Sequence, residues 1–166
     1  MKIPAAFDIE TLGLDPLKDR ITAIGVKTYY AEKVFTNKNE KTMLTEFWNF
    51  VKRDGDVKLI GFNCFSFDLP FLLIRSMKYN LSVVDIRYKT VDLRKVLFNG
   101  YNYKKGTLEK FSKFIGYVPK YNGFTAAFIP TLWKEKRFDE LEEYLLQDVR
   151  MTWKIYERLV EMGVDI

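Results

Sequence analysis

Residues 3–10 read IPAAFDIE, and the alternation in this stretch decides the fold. Successive side chains of a strand point to opposite faces, so Ile3, Ala5, Phe7 and Ile9 fall on one side and Ala6, Asp8 and Glu10 on the other. Two carboxylates two residues apart therefore aim at one spot. Taken alone, D-x-E is also the pattern of a solvated strand face. The apolar neighbours argue for a strand inside a sheet, where an uncompensated pair of carboxylates is strongly unfavourable and calls for a cationic partner.

Outward from that strand, Gly13 to Asp19 reads as a turn, Arg20 to Tyr30 (RITAIGVKTYY) as a second strand and Ala31 to Thr36 as a third. Leu44, Phe47, Trp48 and Val51 recur at helical spacing, which predicts a helix over Thr42 to Val51 packed on the sheet. The apolar run Val57 to Phe62 suits an interior strand whose end delivers the loop FNCFSFD. Asp68 to Met77 (DLPFLLIRSM) has a helical pattern, with Asp68 as its N-cap and Pro70 tolerated in the first turn. A strand at Val83 to Tyr88, a helical turn at DLRKVL, a helix at Thr107 to Ile115, a loop at Gly116 to Gly123 and a short helix at Thr125 to Trp133 follow.

Phe138 to Met162 gives the clearest helical signal. Phe138, Leu141, Leu145, Val149, Thr152, Tyr156 and Leu159 form one apolar stripe, while Glu140, Glu143, Gln147, Arg150, Lys154 and Glu161 are expected to face outward. Tyr144 and Asp148, one turn apart, share a flank of the stripe, so a phenol and a carboxylate can converge on one water or one metal. The alternative is a surface aspartate beside a half-buried tyrosine, and Glu142 shows that acids do intrude near this stripe. Three early strands followed by alternating helices and strands make an α/β protein with a mixed sheet covered by helices. No repeat, low-complexity stretch or linker divides residues 1–166, so one domain is expected.

Composition removes several chemistries. The chain has 166 residues, no histidine and one cysteine, Cys64. Ser-His-Asp and Cys-His machinery, a His/Cys zinc site and an internal disulfide are all excluded. Proton transfer must fall to carboxylates, Tyr, Lys or metal-bound water. Cys64 reads as an ordinary buried thiol, with no basic neighbour in sequence to activate it. With 27 Lys and Arg against 22 Asp and Glu, the net charge of +5 suits a polyanionic partner and equally a merely basic protein. No secretory or membrane-spanning run is visible, so a cytoplasmic protein without a membrane partner is expected.

Three segments, FDIETLGL, GFNCFSFDLPFL and YLLQDVRMT, together resemble the DEDD superfamily of 3′-5′ exonucleases in the branch that carries Tyr before the last Asp. Their wording is most similar to the proofreading exonuclease domain of family B DNA polymerases. The resemblance runs from residue 5 to about residue 155, with the segments in the family's order. It implies a ribonuclease H-like fold, a mixed five-stranded sheet with its first three strands antiparallel and helices on its flanks. It also implies a catalytic set of Asp8, Glu10, Asp68, Tyr144 and Asp148, with two Mg²⁺ or Mn²⁺ ions held by the four acids. Oxygen-only donors suit such hard cations. In the implied roles Asp8 bridges the ions, Glu10 and Asp148 complete the site of the attacking water, Asp68 supports the second ion, and Tyr144 orients the water.

By position in the same motifs, Thr11, Leu14, Asn63 and Phe67 fall on the substrate side, though ordinary packing accounts for them equally well. FNGYNYKKG interleaves Tyr101 and Tyr103 with Lys104 and Lys105, a composition suited to stacking single-stranded bases beside their phosphates, or to an exposed loop. The expectation is a monomeric enzyme trimming single-stranded DNA ends. It would be free-standing or paired in trans with a polymerase or repair partner, since no polymerase segment accompanies it. RNA end processing and a non-catalytic nucleic-acid-binding module are the alternatives.

Overall fold

A computed structural model describes residues 3–53, 57–100, 105–119 and 125–166. Five strands form one sheet in the order β3-β2-β1-β4-β5: β1 (Ile3–Thr11), β2 (Ile21–Lys27), β3 (Glu32–Thr36), β4 (Val57–Gly61) and β5 (Thr90–Asp92). β1 pairs antiparallel with β2 and β2 with β3, while β1–β4 and β4–β5 are parallel. This is the expected α/β, ribonuclease H-like arrangement, with the first three strands antiparallel.

The alternation in β1 divides the core into two layers. Ala5, Phe7 and Ile9 pack with α1 (Glu40–Arg53) and α2 (Asp68–Lys78), where Leu44, Phe47, Trp48, Phe71 and Leu72 are all buried. Ala6 and Ala23 on the opposite face meet α6 (Phe138–Glu161), whose Leu141, Leu145, Val149 and Tyr156 are buried as the stripe predicts. α3 (Leu93–Leu97), α4 (Leu108–Phe114), a single 3₁₀ turn (Ala126–Phe128) and α5 (Ile129–Lys134) complete that second layer.

Three local expectations are corrected. The fifth strand is Thr90–Asp92, not Val83 to Tyr88. The alternating run before it is bent by turns, with Arg87 N–H donating to Asp85 Oδ1 at 3.1 Å and Lys89 N–H to the Ile86 carbonyl at 3.0 Å. Only Ile86 of that run is fully buried, and Tyr88 is exposed. Asp68 is the first residue of α2 rather than its cap; Phe67 takes the cap position without a side-chain bond. Gln147 is buried instead of facing outward. It donates to Glu143, which with Glu32 on β3 is held by Arg150, so an ion network folds over that side of the helix.

A buried ion pair fixes the approach to the end of β1. Glu40, at the start of α1, accepts from Arg75 at 3.0 and 2.6 Å, from the Tyr79 hydroxyl at 2.8 Å and from the Ile21 N–H at 2.8 Å. Arg75 also donates to the Pro16 carbonyl at 3.2 Å. The turn that follows β1 is thus tied to two helices on the far side of the sheet. Burial acts to raise the Glu40 pKa, but the bonds from Arg75, Ile21 and Tyr79 outweigh it and hold the carboxyl below the usual range.

Candidate active site

Asp8 and Glu10 project from the second face of β1, opposite Gly25 and Ala23 of β2 in the strand register. A Cβ on Gly25 would stand 2.8 Å from Val149 Cγ2 and 2.9 Å from Leu145 Cγ. The missing side chain lets α6 lie directly on the sheet beside Asp8, and this carries Asp148 to the acidic pair. One carboxylate oxygen from each of Asp8, Glu10 and Asp148 lies within 4.8 Å of the others.

Asp68 arrives from another direction, at the first turn of α2, and is buried. Its carboxyl lies beside the Ile9 backbone and the Asp8 carboxyl. One of its oxygens, Oδ1, is buried without a hydrogen-bond partner. A buried oxygen with no partner is costly unless a cation or water takes it.

These groups line a cleft of about 500 Å³. Thr11, Leu14, Asn63 and Phe67 line it too. Leu14 is 83% exposed at the mouth. Ala126, Ala127 and Pro130 form a further wall that sequence reasoning missed, since small apolar residues in a short helix carry no signal of a site. Arg20 stacks over Trp133 of α5 at 4.6 Å, tying that wall to the β1–β2 turn. Also missed was Asp92, buried at the end of β5, which accepts from Asn63 N–H at 2.8 Å and Phe65 N–H at 3.2 Å. These bonds hold Asn63 in the left-handed region, at φ 60°. An aspartate directly before a helical run was the available clue.

Tyr144 is half-buried and lies close enough to Asp148, Glu10 and Asp8 to feel their charge; its hydroxyl is hydrogen-bonded by the Ala126 backbone. Burial, then the three carboxylates, push the phenol pKa up, so it stays protonated and able to donate. Lys105 does not reach the cleft; it lines a neighbouring groove. Tyr101, Tyr103 and Lys104 lie outside the described residues. Cys64 is buried, and burial followed by the Asp92 and Asp68 charges raises its thiol, as expected of an inert cysteine.

Burial is the largest cause of the acids' shifts. It holds Asp8 well above the usual carboxylate range, reinforced by Asp68, Asp148 and Glu10; Glu10 is raised likewise, by burial and then by Asp148 and Asp68. Asp68 is pushed up to about 7. A carboxyl raised on folding stabilises the protein below its unfolded pKa, and that contribution is lost as pH rises through the folded value. The chelated protein is therefore expected to melt at progressively lower temperature as pH rises from about 4 through about 7 and above. A divalent cation that binds the ionised cluster reverses this trend. At about a hundred times its dissociation constant it adds about 2.7 kcal/mol, or roughly 5–10 °C at about pH 8, and much less at about pH 5. Thermal melts across pH with Mn²⁺ or chelator check this; a cation effect independent of pH would contradict it. The donor set, oxygen only and acidic, with one oxygen unpartnered, fits a hard divalent ion.

Comparisons with known proteins agree with this architecture. The chain is 37% identical over 171 residues to an uncharacterized protein of Methanocaldococcus jannaschii, with 96% of this chain and 97% of that one aligned. It is 24% identical over 181 residues to a DNA polymerase of Archaeoglobus fulgidus, covering 96% of this chain and 23% of the polymerase. The structure of a family B DNA polymerase from the archaeon Pyrobaculum calidifontis superposes with a TM-score of 0.81 at 24% identity, over 96% of this chain and 25% of that one, a likeness of fold. The chain thus spans about a quarter of the length of these polymerases. No helix among the described residues is long and apolar enough to cross a membrane. With the sequence profile of the RNase H superfamily matching residues 5–160 and the sheet order, register and acidic cleft described above, the chain belongs to the RNase H superfamily.

Proposed function

We propose that this protein is a metal-dependent 3′-5′ exonuclease of the tyrosine branch, removing nucleoside 5′-monophosphates from single-stranded or frayed DNA ends. The observation that carries the reading is the convergence of Asp8, Glu10, Asp68 and Asp148 on one cleft, with Asp68 Oδ1 buried and unpartnered. Asp8 would hold both of two divalent ions, Mg²⁺ or Mn²⁺, Glu10 and Asp148 would complete the first site, and Asp68 the second. When bound, such a pair supplies Lewis acidity that lowers the pKa of water and offsets charge on the attacking and leaving oxygens.

The chain's own groups do the rest. Tyr144, kept protonated, donates to the attacking water and fixes its direction. Thr11, Leu14, Asn63 and Phe67 line the cleft; in this reading Thr11 and Leu14 would sit by the terminal nucleotide, Leu14 wedging against its base, with Asn63 and Phe67 as further substrate contacts. In this reading the enzyme acts alone or in trans beside a polymerase or repair partner.

Tyr144→Phe is expected to lower kcat by about a hundred-fold while changing substrate affinity by no more than about two-fold, because the lost hydroxyl acts on the water rather than the strand. Single-turnover rates set against filter binding check the split; equal losses would remove Tyr144 from its role. The function itself is tested by incubating DNA and RNA oligonucleotides labelled at the 5′ end with the protein and Mg²⁺ or Mn²⁺. A ladder shortening stepwise from the 3′ end, with mononucleotide product and faster loss of DNA, is the expected result. Internal cleavage at the earliest times, or binding without cleavage, sinks the proposal.

A further inference from the structure

Beside the acidic cleft lies a second groove of about 550 Å³, and the two share Phe62 and Asn63 as a common wall. Arg94, Lys105 and Lys110 line the second groove, and no acidic residue is among its described lining. The lining therefore changes across this shared wall from a carboxylate cluster to three cations.

The groove is held in shape from below. Phe111 of α4 packs on Phe62 at 5.7 Å and on Phe98 at 5.8 Å between ring centroids. Gly106, at φ 95°, rests on the Phe111 ring so closely that a Cβ would stand 2.6 Å from Cε2. That contact sets the backbone next to Lys105 against the aromatic floor. On the other side, Asp92 joins the groove to the cleft. The carboxylate that fixes Asn63 also accepts from Arg94 N–H at 3.0 Å, so the shared wall and the start of α3 are locked by one buried group.

We infer that this groove carries the single strand upstream of the nucleotide in the cleft, with Arg94, Lys105 and Lys110 following its phosphates. The inference deepens the exonuclease reading and rests on it. A carboxylate cluster, protonated or neutralised by cations, has no positive charge left to draw in a polyanion, and a cationic channel continuous with it supplies the attraction that brings the strand end in. Phosphate contacts of this kind do not read sequence, so DNA and RNA both fit the groove and the choice between them lies elsewhere.

The test compares wild type, Lys110→Gln and the double variant Arg94→Gln/Lys110→Gln, all with melting temperatures recorded. Binding of a fluorescent oligonucleotide about eight nucleotides long is followed against salt in chelator, where no strand is cut. The double variant should bind about ten-fold more weakly at low salt, and its log–log salt slope should fall by about 1.4, near 0.7 for each lost contact on a single strand. With Mn²⁺, the ratio of KM for that oligonucleotide to KM for a dinucleotide, too short to leave the cleft, should rise by a similar factor. DNA and RNA versions should respond alike. Unchanged affinity and slope in a folded double variant overturn the groove. If wild type cuts neither substrate, the exonuclease reading fails, while the chelator binding series still decides whether the groove holds a strand.

Discussion

The Asp8→Asn protein is expected to lose metal-dependent cleavage by about a thousand-fold or more, roughly 4 kcal/mol of transition-state stabilisation, while melting at a higher temperature than wild type in chelator. The two effects have one cause. Asp8 sits among Asp68, Asp148 and Glu10, and burial together with their charge holds its carboxyl well above the usual range. Removing that charge relieves the cluster when no cation is present and abolishes the place where a cation would be held. A residue serving only the fold would behave differently, because its replacement would lower the melting temperature and leave turnover per folded molecule intact. Cleavage assays and calorimetry on the same preparation give the answer. Retained activity, or a lower melting temperature in chelator, would contradict the assignment.

Replacing Arg75 by Met should cost about 3–5 kcal/mol of stability, a drop in melting temperature of roughly 10 °C or more. Arg75 is 2% exposed and Glu40 4% exposed, so the variant leaves a carboxylate buried with its strongest partner gone. The Tyr79 hydroxyl and Ile21 N–H remain but carry no charge. Adding Glu40→Gln should recover much of the loss, since an ion pair replaced on both sides is far less damaging than one broken on one side. The same variant frees the Pro16 carbonyl, so the turn carrying Leu14 is expected to exchange its amide protons faster. A double variant no more stable than Arg75→Met alone would show that packing, not the stranded charge, sets the cost.

Each of the four acids belongs to a local pattern, alternation in β1, the end of an apolar run before α2, and a stripe flank on α6, yet each pattern alone also fits an ordinary structural role. Their convergence was legible only through resemblance, since spacing within one segment says nothing of the distance to another. The strand expected at residues 83–88 does not form, because a strand needs a partner as well as a suitable local sequence. β4 finds its partner at Thr90–Asp92, after a turn that local pattern does not reveal. Gln147 departs from its expected place as well. Its helical phase is outward, but it is buried, donating to Glu143 beside the Arg150–Glu32 pair that links this side of the helix to β3. Lys105, expected beside the strand, lies in the adjoining groove instead of the cleft.

Sequence by itself determined the α/β class, the apolar faces and the absence of histidine chemistry, because periodicity and residue type are properties of short stretches of chain; the set of cleft acids was legible only through the resemblance of three segments to a family. Tertiary structure alone decided the closeness of α6 to β1 over Gly25, the stranded Oδ1 of Asp68, the Glu40–Arg75 tie beneath the turn, and the cationic groove sharing a wall with the acidic cleft. Each of these joins residues distant in sequence, and packing across the sheet, rather than the order of residues along any one element, sets their separation.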